Sequence, residues 1–249
     1  MSKNRFHRAF VRTLPLLTYI LIVAKSADAG YEWGFADVNL NHLAWDGETK
    51  QKSTKTDFNY LELEGGGQFT WGELYGFFDI ENIDRRSDQN RSAEKGVIRY
   101  YLGKSHFSLY GHVYNFTDLG FSEQNRVYGL GYQLEGHEWW VKPFLGIHDV
   151  TQTYFTGYNG FMGGWVVGYG FHIHTQDFLF SDWHEIEFAR RQAYADGNGG
   201  KRTSQNGAAA LWWIATPHFT YGIQWRYALD KLGTPGLENA AIATIKYVF

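Results

Sequence analysis

Cysteine is missing from this 249-residue chain, so neither a disulfide framework nor a thiolate metal site can form. Long apolar runs are missing too. Beyond the first thirty residues no segment approaches the roughly 18 to 20 consecutive apolar residues of a membrane-spanning helix, which excludes helical insertion. The third absence is an excess of positive charge: 23 Lys and Arg stand against 26 Asp and Glu. Phosphate backbones are held by clustered basic residues, so nucleic acid is not an expected partner. Proline is scarce, at 4 residues, while glycine reaches 29 and the rings number 10 Trp, 17 Tyr and 19 Phe. That balance suits β structure with close backbone approaches.

Residues 1–29 read as a secretory signal peptide. Lys3, Arg5, Arg8 and Arg12 make the charged region, Leu14 to Ala24 the apolar one, and Ala27-Asp28-Ala29 an A-x-A cleavage site before Gly30. The apolar part is about half a bilayer span, too short for an anchor. Its removal leaves 18 basic against 25 acidic residues, a mature charge of −7.

The remainder, 30–249, shows period-2 alternation in about a dozen segments, each as long as a tilted transmembrane strand requires. In HFTYGIQWRYAL, Phe219, Tyr221, Ile223, Trp225, Tyr227 and Leu229 share one face, while His218, Thr220, Gly222, Gln224 and Arg226 share the other. FSLYGHVYNF and WGELYGFFDIE divide in the same way, with Ser108, Tyr110, His112 and Tyr114, then Glu73, Tyr75, Phe77, Asp79 and Glu81, on the wet side.

Connections are expected to alternate between long and short. Polar stretches at 46–57, 84–95, 117–124, 149–160, 191–206 and 230–239 fall between tight turns near 65–68, 103–106, 135–138, 172–177 and 216–217. Long loops opposite short turns mark a bacterial outer-membrane barrel, so the expected fold is all-β, one transmembrane antiparallel β-barrel of about 12 strands. A secreted β-sandwich would also alternate, but it hides its oily faces against each other and requires no strict order of loop lengths. In lipid the sheet must close, because an open edge leaves backbone groups unsatisfied. The last segment, IATIKYVF, is then the closing strand: Ala241, Ala243, Ile245, Tyr247 and Phe249 face lipid, Thr244 and Lys246 face inward, and Ile242 is an inward misfit.

The segment from Asp57 to Ile83, DFNYLELEGGGQFTWGELYGFFDIENI, resembles the signature hairpin of the Tsx-type nucleoside-specific outer-membrane channels and their OmpK-like relatives. The matching positions are Tyr60, Leu61, Glu62 and Glu64, then Leu74 where an aromatic is common, and Tyr75, Gly76, Phe77 and Asp79. The resemblance implies a monomeric twelve-stranded barrel in the bacterial outer membrane that passes nucleosides down their gradient, with no catalysis and no cofactor. It also implies that the closing strand, with Tyr247 and Phe249, is a signal to the barrel assembly machinery.

A nucleoside offers a flat π face and a hydroxyl-rich sugar, so a selective path wants rings for stacking beside polar groups for the sugar. Tyr60, Tyr75, Phe77, Tyr110 and Tyr114, with Glu62, Glu64, Asp79, His112, Gln224 and Arg226, are the expected lumen path. Equally, the carboxylates could be structural locks, with Arg99, Lys142 and Arg226 as partners, because small barrels fill their lumens and pair buried charge. Glu62 and Glu64 have the i,i+2 spacing of a glycosidase acid pair, roughly 7 Å, but no cleft is evident between them. His172 and His174 lack a third metal ligand nearby. Trp33, Trp45, Trp139, Trp140, Trp165, Trp212 and Trp213 read as an interfacial girdle. Three other functions stay open: a general small-solute porin, a receptor surface on the long loops for phage or other extracellular ligands, and a lipid hydrolase built on Ser108 and His112, which should instead face the lumen.

Overall fold

A computed structural model describes residues 30–249; the expected signal peptide lies outside the described residues. Alternation becomes strand after strand. The elements are β1 (Tyr31–Trp45), β2 (Phe58–Phe69), β3 (Gly72–Glu81), β4 (Arg91–Tyr101), β5 (Phe107–Asp118), β6 (Phe121–Tyr132), β7 (Leu134–Glu135), β8 (Trp139–Gln152), β9 (Phe155–Ile173), β10 (Gln176–Phe188), β11 (Ser204–Ile214), β12 (Phe219–Lys231) and β13 (Thr234–Val248), with short helices α1 (Gly47–Lys52) and α2 (Gln192–Ala195). The two-residue β7 prolongs the β6 side of the ladder, pairing Leu134 with Val141 and Glu135 with Trp140. Every neighbour is antiparallel, and β1 closes on β13 in a register running from Asp37 opposite Val248 to Trp45 opposite Ala240. β6 pairs β8, so the described residues form a closed barrel of twelve strands. Closure removes the free edges that hydrocarbon would penalise.

The outside is apolar and ringed by aromatics. Leu40, Leu61, Ile98, Leu130, Leu145 and Ile223 are exposed there, with Trp33, Tyr100, Phe107, Trp139, Trp213 and Tyr221 towards the end at which β1 begins. Polar groups on this face are satisfied by their neighbours. Trp165 Nε1 donates to Asp182 Oδ1 (2.7 Å), and His184 Nδ1 meets Tyr227 Oη at 2.7 Å.

The expected loop pattern requires correction. Of six long connections only 46–57, 82–90 and the segment 189–203 are long; those at 117–124, 149–160 and 230–239 are tight hairpins turning at 119–120, 153–154 and 232–233. Their polar residues belong to strands. GGGQ is likewise inside β2, and the turn falls at 70–71. Three of the expected girdle tryptophans point inward. Trp45 is buried in an interior cluster with Leu43, Phe58, Tyr60, Ala240 and Ile242. Trp212 Nε1 donates to lumen-facing Ser181 (2.9 Å), and Trp140 shares the face of Lys142 and Phe144, lying over Gly168 where a Cβ would stand 2.1 Å from the ring. The same interior cluster explains Ile242, which is an apolar residue inside the barrel because its neighbours there are apolar.

Candidate functional site

An acidic wall covers the inner face of β1 to β3. Register sets Asp37 opposite Glu64 and Glu64 opposite Phe77, with Asn39 opposite Glu62 and Glu62 opposite Asp79. Burying several carboxylates together is costly unless cations or donors meet them. Glu64 accepts from Tyr75 Oη (2.7 Å) and from Lys246 Nζ (2.7 Å), and the same ammonium lies 3.2 Å from Asp37. Asn39 Nδ2 donates to Glu62 Oε1 at 2.5 Å. Asp79 is buried, and its Oδ1 has no hydrogen-bond partner among the described residues.

The expected cations turn out to serve other groups. Arg99 and Lys142 both converge on Glu73: Arg99 Nε is 3.1 Å from Oε1, and Lys142 Nζ bonds Oε2. The reason is local, since Arg99 stands directly across the β3–β4 ladder from Glu73. Among the described residues no acid stands within ion-pair distance of Arg226. Its Nη1 donates to the carbonyls of Gly207 (2.9 Å) and Tyr227 (3.0 Å), and its guanidinium sits 4.8 Å over the Trp183 ring. Gln224 donates to Thr244 Oγ1 at 3.2 Å.

The lumen has two unlike halves. Inside β5, β6, β8 and β9 it is solid: Tyr110, Val127, Phe144 and Met162 pack into one buried cluster, with Tyr110 and Phe144 stacked at 4.3 Å. His112 is buried beside them, 3.0 Å from Tyr110 Oη. The other half holds the buried cluster around Trp45 and Tyr60, and beside it keeps partly exposed side chains on its walls, among them Glu62, Glu64, Tyr75, Phe77, Trp183, Trp212, Gln224, Arg226 and Lys246. Thus Tyr75, Phe77, Glu62, Glu64, Gln224 and Arg226 are partly exposed on the inner walls of that half, whereas Tyr110 and His112 belong to the packed side. Tyr60 is buried in the apolar interior cluster, and Tyr114 stands opposite Lys95 in the β4–β5 ladder.

Trp183, Trp212, Lys95, Glu185 and Lys246 face the lumen as well, and only Lys246 had been given an inward face from sequence. The signal for two of them, Trp183 and Glu185, was present: in QDFLFSDWHEIEF the positions Ser181, Trp183, Glu185 and Glu187 alternate with Phe180, Asp182, His184 and Ile186. Lys246 Nζ lies 5.1 Å over Trp212, so a cation, a ring and two carboxylates meet at one level.

An apolar, ring-girdled exterior around a charged and aromatic lumen defines an outer-membrane channel of the β-barrel type. The sequence model of the nucleoside-specific channel-forming protein Tsx family matches residues 40–249. The chain belongs to that family.

Proposed function

We propose that this channel lets nucleosides diffuse passively across the outer membrane into the periplasm, as a monomer and without a catalytic step. The observation carrying this reading is the juxtaposition of Tyr75 with Glu64, Lys246 and Trp212 in the open half of the lumen. Rings there offer stacking worth roughly 1 to 3 kcal/mol per base, and carboxylates accept from sugar hydroxyls. Several weak contacts in series favour release as well as capture. The lipid-facing Tyr247 and Phe249 act, in this reading, as the signal to the assembly machinery.

The test is planar-bilayer conductance with nucleosides or similarly sized sugars added. Nucleosides should block the native channel, sugars should not, and Tyr75→Ala and Phe77→Ala should weaken the block. Equal effects of sugars and nucleosides would reduce the protein to a general porin.

A further inference from the structure

Lys95 and Glu185 form an ion pair of 2.5 Å between side chains that are 17% and 10% exposed. They are not neighbours on the wall. Lys95 is on β4 and Glu185 on β10, five strands apart in the order β4-β5-β6-β8-β9-β10 around twelve. Both face inward: Lys95 shares a face with buried Ala93 and Arg99, and Glu185 stands in register with Gly164, itself opposite buried Phe144. A bond between strands so far apart has to cross the lumen. It does so at the boundary between the packed half and the open one, because His112, behind it, belongs to the packed cluster while Trp183, beside it, lines the open space. Lys95 Nζ lies 5.8 Å from the Trp183 ring, and the Arg226 guanidinium lies 4.8 Å from that same ring.

We propose that Lys95 and Glu185 are a strut across the pore that fixes the cross-section of the solute path, confining it to the slot walled by β1 to β4 and β10 to β13. The proposal rests on the channel reading and deepens it: these two residues determine which solutes fit and need not touch them. A buried ion pair is a weak source of net stability, since desolvation offsets much of the attraction. A fixed distance between two walls is what such a pair supplies here.

The test uses the purified full chain in planar bilayers, reading single-channel salt conductance and the largest neutral polyethylene glycol that enters the pore. Replacing both partners together, Lys95→Ala with Glu185→Ala, avoids stranding a buried charge. Conductance should rise about twofold, with a larger polymer cut-off, as expected when a pore constriction is widened. The exchanged pair, Lys95→Glu with Glu185→Lys, should restore both values towards the native ones. Should the alanine pair not fold, Lys95→Gln with Glu185→Gln carries the same expectation of increased conductance. Unchanged conductance and cut-off in a folded variant overturn the strut, as does an exchanged pair that behaves like the alanine pair. Neither readout involves a nucleoside, so a channel that nucleosides fail to block would sink that specificity and leave the strut standing.

Discussion

At the scale of single residues, the lumen shows two ways of making an interior position affordable to the fold. Ile242 is surrounded by Leu43, Trp45, Phe58, Tyr60 and Ala240 and is 4% exposed. Ile242→Ala should therefore destabilise the barrel by about 2 to 5 kcal/mol, the range for emptying a packed site, whereas Ile242→Val should cost about 0.5 to 1.5. Denaturant unfolding from lipid vesicles would measure both; equal, negligible losses would show that the cluster is loose. Lys246 works by charge instead, serving Glu64 and Asp37 at once. Lys246→Met strands two carboxylates, and removing one partner of a buried pair costs about 3 to 5 kcal/mol. Adding Asp37→Asn and Glu64→Gln to that variant should recover much of the loss. No recovery would mean that Lys246 acts through its packing on Trp212.

At the scale of elements, α1 shows how a loop is held above the strands. Asp46 caps it, accepting from the Thr49 backbone N–H at 2.7 Å. The hydrogen bonds from Thr49 lower the Asp46 pKa below its ordinary value of 3.8. A depressed carboxyl contributes stability above its unfolded pKa and loses it as pH falls through the folded value. The loop 46–57 should thus be ordered at neutral pH and loosen below about pH 4. Asp46→Ala should remove the cap at every pH, at about 0.5 to 2 kcal/mol. Amide exchange at Thr49 reads both effects, and protection that survives the substitution would discount the cap. Strand faces were legible in the sequence because lipid and lumen impose opposite polarities on alternate residues, as in β3 and β12. Loop lengths were less legible. Ser122, Gln124 and Asp149 read as loop because they are polar, yet Asp149 bonds Arg126 across a ladder that continues to 152. Polar residues signal a wet environment, and strands that reach beyond the hydrocarbon are wet. GGGQ misled in another way: a Cβ at Gly66 would stand 3.1 Å from the Leu74 carbonyl, so glycine there serves close strand packing rather than a turn. Partners beyond the adjacent strand, such as Lys246 with Glu64 past β1 or Lys95 with Glu185 across the lumen, could not be read, because alternation gives a residue its face and nothing about which other strands stand near it.

At the scale of the whole molecule, the long segment 189–203 belongs to the packed half. Loops ordinarily run over the surface, but Arg190, Tyr194 and Ala195 are at most 1% exposed. Tyr194 reaches Glu123 of β6 at 3.2 Å and lies against His148 and Phe155 of β8 and β9. Arg190 is tied down by Glu187 at 3.1 Å and by the carbonyls of Asn198 and Asp230. Gly160, at φ +84°, lets the base of the loop approach, since a Cβ there would stand 2.5 Å from the carbonyls of Phe188 and Ala189. The segment seals the mouth over β6, β8 and β9, where Asn125, His148 and Asn159 would otherwise meet water. On the proposed path current flows through the other half, so replacing 192–199 with a short Gly-Ser linker should leave single-channel conductance and nucleoside block as they are. The same change should lower the unfolding midpoint, because it uncovers the polar interior and removes the Tyr194 packing. A linker variant that conducts markedly more would place the open path beneath this loop, and the division of the lumen into a packed and an open half would then be wrong.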